Sequence, residues 1–181
     1  MIALYFRAED RLGAILTGLL PLLLRLVFAG VLLVYFWASG LTKLGPGPLG
    51  FLMPSDGAFV QIFPRAMEAA GYDSSALGLW HRLVVIAGTW AEFVLPLLLI
   101  LGLATRAAAL GMIVFIVVQS MTDMLGHGAG AQALGVWFDR ASDALILDQR
   151  ALWIAVLAGL AAMGGGPVSL DAALRRKIQL S

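Results

Sequence analysis

Apolar residues run almost unbroken through residues 15–41, 77–103, 107–125 and 151–163, and polar residues collect between these segments. A helix needs about 20 mainly apolar residues to cross a bilayer, so the first three segments suffice alone. The fourth is short and takes in residues 145–147 across the polar patch at 148–150. The pattern predicts an all-α integral membrane four-helix bundle forming one transmembrane domain over residues 1–181. Only Ala104, Thr105 and Arg106 separate the second and third segments, which forces an antiparallel hairpin.

The first outer loop has its own pattern. Phe59, Ile62, Phe63, Ala66, Met67 and Ala70 recur at helical spacing, with Arg65 and Glu68 on the opposite face. Ser55 and Asp56 supply capping chemistry, Gly71 a stop, and Pro64 a kink or division. This predicts a short amphipathic segment that lies on the outer membrane surface or caps the bundle, a role favoured over docking a partner. Residues 45–50, Gly-Pro-Gly-Pro-Leu-Gly, form a turn, because they lack the lysine and the helix start of a phosphate loop. At the far end, residues 164–167 stop the fourth helix and Ser169 caps a short amphipathic helix with Asp171 in its first turn. Arg175, Arg176 and Lys177 on that helix are placed to meet anionic headgroups.

Four spans put both termini on one side. That side gathers Arg7, Arg11, Arg106, Arg175, Arg176 and Lys177 in short flanks. The other side dilutes Lys43, Arg65, Arg82, Arg140 and Arg150 among Asp56, Glu68, Asp73, Asp123, Asp139, Asp143 and Asp148. The positive-inside rule then predicts cytoplasmic termini, with Trp37, Trp80, Trp137 and Trp153 forming an outer aromatic belt. The first segment, 27 residues long by this reading, exceeds a signal-peptide core, so it is expected to be retained.

Composition narrows the chemistry. The 181 residues are 61% hydrophobic and 13% charged, with a net charge of +1, which disfavours nucleic acid as a partner. The absence of cysteine excludes disulfide exchange, iron–sulfur clusters and thiolate-ligated zinc.

Polar residues inside the spans carry the candidate chemistry. Arg25, Leu32, Phe36, Ser39 and Lys43 share one face of the first helix. His81, Val85, Gly88 and Glu92 do so in the second, and Gln119, Asp123 and His127 in the third. Such stripes turn inward in lipid. At 1.5 Å per residue Arg25 lies roughly 12 Å from one boundary and Glu92 roughly 16 Å from the other, so the two are expected to pair. The pair reads either as an ion pair locking two helices or as a ligand-orienting arginine beside a proton-handling carboxylate. Trp90 and Pro96 flank Glu92, and Pro96 frees a backbone carbonyl that helps open a cavity. His81, Asp123 and His127 share the outer boundary level with Lys43; they read as an interfacial hydrogen-bond cluster or, more weakly, as a metal or haem site.

Several segments together resemble the DoxX family of small four-helix bacterial membrane proteins. They are Leu24-Arg25-Leu26, then Phe36-Trp37-Ala38-Ser39-Gly40-Leu41-Thr42-Lys43-Leu44, then Ala91-Glu92, then Leu101-Gly102-Leu103-Ala104-Thr105-Arg106. The closing Gly164-Gly165-Gly166-Pro167-Val168-Ser169-Leu170-Asp171 completes the set. Some DoxX relatives are membrane subunits of thiosulfate:quinone oxidoreductase, and others accompany redox-stress, metal-handling or cofactor-maturation systems. The resemblance implies a membrane subunit of a quinone-linked redox system, acting as a homo-oligomer or beside a partner redox or periplasmic subunit. Quinone is then expected between the first two helices, with Glu92 and Arg25 as catalytic residues and Arg25, Trp90, Ser39 and Lys43 binding the ring. A non-enzymatic scaffold or maturation factor is the alternative, and a small-solute or metal permease a third.

Overall fold

The computed structural model describes residues 1–138 and 145–180, and every regular element within them is helical. In chain order these are α1 (Ile2–Lys43), α2 (Asp56–Ile62), α3 (Pro64–Ala69), a 3-10 turn (Ser74–Ala76), α4 (Leu79–Leu101), α5 (Thr105–Gly126), α6 (Ala131–Leu134), α7 (Ile146–Met163) and α8 (Leu170–Gln179). Of these, α1, α4, α5 and α7 are long and apolar enough to cross a membrane. Asp139, Arg140 and Asp143 lie outside the described residues.

The first helix begins thirteen residues earlier than hydropathy suggests, at Ile2 rather than residue 15. Hydropathy finds the part of a helix that lipid can cover, and residues 2–12 are helix formers with charges among them. At about 63 Å, α1 is twice the hydrocarbon thickness, so only part of it can be in lipid. One turn, Ala29–Leu33, is a π-helix. The polar stripe keeps its inward face beyond it, since Arg25, Leu32, Phe36 and Lys43 are all buried. In α7 the polar patch is the helix start itself, because Arg150 is buried against partners on α5.

Phe28, Leu32 and Phe36 of α1 meet Ala108, Ala109, Met112 and Ile116 of α5 and Trp153, Leu157 and Leu160 of α7 in one core. Lipid is as apolar as leucine, so close packing and polar contacts, rather than exclusion from water, hold these helices together. Small residues permit the approach: a Cβ on Gly40 would lie 2.7 Å from the Phe93 ring of α4. Trp153 belongs to this core, 5.3 Å from Tyr35 and 6.2 Å from Phe36 between ring centroids, so it is not a belt residue. Trp37, Trp80 and Trp137 remain exposed.

The amphipathic segment is divided at Phe63 (φ −127°, ψ 58°), with Pro64 opening α3 where its missing N–H costs nothing. Ala58, Phe59 and Met67 bury against Val85 of α4, so α2 and α3 cap one end of the bundle, here termed the loop end. Ser55 donates its N–H to the Lys43 carbonyl at 3.0 Å and ties the end of α1 to this cap.

The opposite, terminal end is locked by two side chains. Gly102 (φ 66°) and Ala104 (φ 48°) turn the chain from α4 into α5 in left-handed conformations. Only glycine fits at 102, where a Cβ would lie 2.6 Å from that of Ser169 and 2.8 Å from Arg25 Cζ. Asp171 of α8 accepts from the N–H groups of Ala104 (2.8 Å) and Thr105 (2.9 Å) and from the Thr105 hydroxyl (2.8 Å). It thereby satisfies orphan donors at the start of another helix, α5. Burial alone would raise the Asp171 pKa; the bonds from Thr105 and Ala104, with Arg175 nearby, outweigh it and hold the carboxyl below its ordinary value. A depressed carboxyl contributes stability above its unfolded pKa, about 4, and loses it as pH falls through the folded value. Asp171→Asn should therefore melt earlier than wild type near pH 7, and the gap should narrow below about pH 4. A gap independent of pH from 7 to 3, measured by thermal unfolding in detergent, would contradict this role.

Candidate functional site

A cavity of about 430 Å³ lies between the end of α1, the middle of α4 and the second half of α5, roofed by Gln61 and Ile62 of α2. Ala87, Gly88 and Ala91 of α4 and Gly111 of α5 leave the space, and Leu95, Val114, Phe115 and Val118 complete its apolar wall. Val114 and Val118 are also exposed on the bundle surface, so the cavity reaches the lipid-facing side. The three polar stripes meet here: Ser39 and Lys43 from α1, Gly88 and Glu92 from α4, Gln119 and Asp123 from α5, with His127 at its end.

Glu92 is 2% and Lys43 5% exposed. The Lys43 ammonium donates to both Glu92 carboxylate oxygens at 3.0 Å and to Ser39 Oγ at 2.7 Å. Ser39 in turn donates to Glu92 Oε1 at 2.9 Å. Each charge thus has an opposite charge and a hydroxyl beside it, which is what burial of ions requires. On the facing wall Gln119 donates to the Tyr35 hydroxyl at 3.1 Å, while its buried Oε1 has no partner among the described residues. Asp123 accepts from Arg150 at 2.6 Å, and Arg150 also donates to Ser120 at 2.9 Å. The π-helical turn Thr122–Gly126 carries Asp123 into this position.

Arg25 does not meet Glu92. It donates from Nε to the Leu99 carbonyl (2.9 Å), from one terminal nitrogen to Gly165 (3.1 Å) and Val168 (2.5 Å), and from the other to Ile100. These acceptors are the last carbonyls of α4 and the glycine loop after α7. The depth argument compared Cα levels, but helical side chains lean toward their own N-terminus. In antiparallel α1 and α4 that carries Arg25 toward the terminal end and Glu92 toward the loop end. The same lean brings Lys43 down to Glu92 from the end of α1.

Three other expectations change with it. The cavity lies between α4 and α5, with α1 supplying only Ser39 and Lys43, rather than between the first two spans. Trp90 is 41% exposed and points to the first loop, donating to the Phe51 carbonyl at 3.1 Å, and is not a cavity residue. His81, Asp123 and His127 do not converge: His81 packs edge-on to Phe63, Asp123 is held by Arg150, and His127 Nε2 lies 3.0 Å from the Gln61 carbonyl. Among the described residues no three His, Cys, Asp or Glu side chains form a metal-binding group. Sequence reasoning missed Arg150 as the partner of Asp123, although an arginine inside the last apolar segment was a signal. It also missed the cross-helix role of Asp171, for which a single sequence carries no signal.

The chain was compared with known proteins. The family model described as DoxX matches residues 20–123, which covers Arg25, Lys43, Glu92 and Asp123 but not the closing glycine segment. No curated protein and no solved structure matches.

Proposed function

The chain belongs to the DoxX family of membrane proteins, and from that premise we propose that it is the membrane subunit of a quinone-linked redox system, taking the quinone ring into the cavity between α1, α4 and α5. The observation that carries this reading is the buried Lys43–Glu92–Ser39 group at the edge of an apolar cavity of about 430 Å³ that reaches the lipid-facing side. Apolar walls suit a lipid-borne ring, and a few convergent polar groups would orient it. Quinone bound there would supply two-electron acceptor chemistry, with electrons delivered by a partner subunit.

The side chains divide the remaining work. Lys43 and Ser39 are donors placed to hold a ring oxygen, and Glu92 is the group positioned to give or take its proton. The unpartnered Oε1 of Gln119 is an acceptor for a hydroxyl on the opposite wall. Asp123 and exposed His127 continue the polar lining to the surface at the loop end. The six lysines and arginines at the terminal end support a cytoplasmic position for that end, in a bacterial inner membrane.

Solvent extraction of the protein purified in mild detergent, followed by chromatography, should yield close to one quinone per chain. The variant Lys43→Met with Glu92→Leu keeps the volume without the charges and should fold yet carry little or no quinone. Undiminished quinone in that variant would remove the site. Absence of quinone from wild type, taken from quinone-replete membranes, would leave the non-enzymatic scaffold as the better reading.

A further inference from the structure

A second cavity, of about 170 Å³, opens at the terminal end of the bundle, away from the site above. Arg106 at the start of α5, the loop Gly164–Gly165, and Ser169, Asp171 and Arg175 of the α8 segment line it. Its one carboxylate is already engaged, both Asp171 oxygens accepting from the Ala104–Thr105 turn. Its two guanidiniums keep their donors: among the described residues neither Arg106 nor Arg175 donates a hydrogen bond, and Arg175 feels the charge of Asp171 without standing within ion-pair distance of it. Arg106 lies beside the loop, for a Cβ on Gly164 would be 3.4 Å from its Nε.

The position of α8 says where such a group of donors sits. Leu170, Leu174 and Ile178 are spaced four apart, so they share one face, and they are 43%, 50% and 73% exposed. An apolar helical face left uncovered beside the end of a membrane span belongs in the interfacial layer, and its basic residues then lie at headgroup depth. Guanidinium groups bind phosphate oxygens in pairs of parallel hydrogen bonds, and basic pockets between spans take anionic lipid headgroups.

We propose that this cavity binds the phosphate of an anionic phospholipid from the leaflet at the terminal end, with Arg106 and Arg175 as its ligands. The lipid would join the start of α5, the loop after α7 and α8 through one headgroup. Because only the folded protein has the cavity, binding should raise the melting temperature.

The test is thermal unfolding in uncharged detergent with short-chain phosphatidylglycerol titrated in. Wild type should show a saturable rise, and phosphatidylcholine, whose choline cancels the phosphate charge, should give much less. Arg106→Gln with Arg175→Gln should weaken the response about tenfold or more, since two charge-assisted contacts are lost. Arg176→Gln with Lys177→Gln removes the same charge outside the cavity, from α8 alone, and should cost the response much less than the Arg106/Arg175 pair. If the first double variant does not fold, Arg175→Gln alone, on an exposed helix face, makes the comparison. No rise in wild type, an equal rise in the Arg106/Arg175 variant, or an equal loss in the Arg176/Lys177 variant would overturn the site. An equal rise with inorganic phosphate that is lost in the Arg106/Arg175 variant would assign the cavity to free phosphate and overturn the lipid.

Discussion

Replacing Lys43 with alanine is expected to destabilise the protein by about 3–5 kcal/mol, one of the two largest single-residue effects in the chain. The reason is what remains behind. Glu92, 2% exposed, would keep Ser39 and lose its opposite charge, the only other hydrogen-bond partner it has among the described residues. Removing both members together leaves no buried charge, so Lys43→Met with Glu92→Leu should unfold close to wild type. Lys43→Met, Glu92→Leu and the two together form a double-mutant cycle whose coupling should be large, because neither single change is tolerated and the pair is. If Lys43→Ala melts within about 1 kcal/mol of wild type, the pair is solvated in the membrane and this account of its burial is wrong.

Arg25→Gln is the second. It removes a charged donor that closes the terminal carbonyls of α4, Leu99 and Ile100, and holds the loop at Gly165 and Val168. Cations at a helix C-terminus are favourable through the helix dipole, and hydrogen bonds from charged donors weigh more than neutral ones. A loss of about 3 kcal/mol or more is expected, with Arg25→Lys recovering only part. A lysine ammonium has three donors on a point charge and cannot reproduce the planar fork that reaches four carbonyls. The same variant separates the two possible partners of Glu92. Leu99 lies seven residues, about 10 Å, along α4 from Glu92, so Arg25→Gln and Glu92→Gln should add within about 0.5 kcal/mol. Strong coupling between them would restore the Arg25–Glu92 pair and exclude the geometry described above.

Much of the bundle was legible because it rests on local properties. The four apolar lengths, the tight hairpin at 104–106 and the capping segment in the first loop follow from residues close in sequence. The inward stripes were legible as well: Lys43 and Ser39 from α1, Glu92 from α4, and Gln119, Asp123 and His127 from α5 line one cavity. What failed were statements joining distant residues by level alone. Counting residues puts Arg25 and Glu92 at similar depth, yet their side chains lean in opposite directions along antiparallel helices, and Arg25 reaches the last carbonyls of α4, about 10 Å along the helix from Glu92. Trp90 sits two residues from Glu92 and therefore on another face, turned to Phe51. Arg150 looked like an interruption of the last span because nothing local to it names Asp123, 27 residues away, as its partner.

A four-span membrane protein of the DoxX type was legible from residue order alone, with the inward face of each polar stripe. Lipid length and helical period are read one helix at a time. Only the tertiary structure decided which charges meet: Lys43 with Glu92, Asp123 with Arg150, Arg25 with backbone carbonyls and Asp171 with the start of α5. Such pairings depend on the relative direction, rotation and separation of neighbouring helices. Those quantities are fixed by the packing of small and large residues between helices, and no single helix carries them.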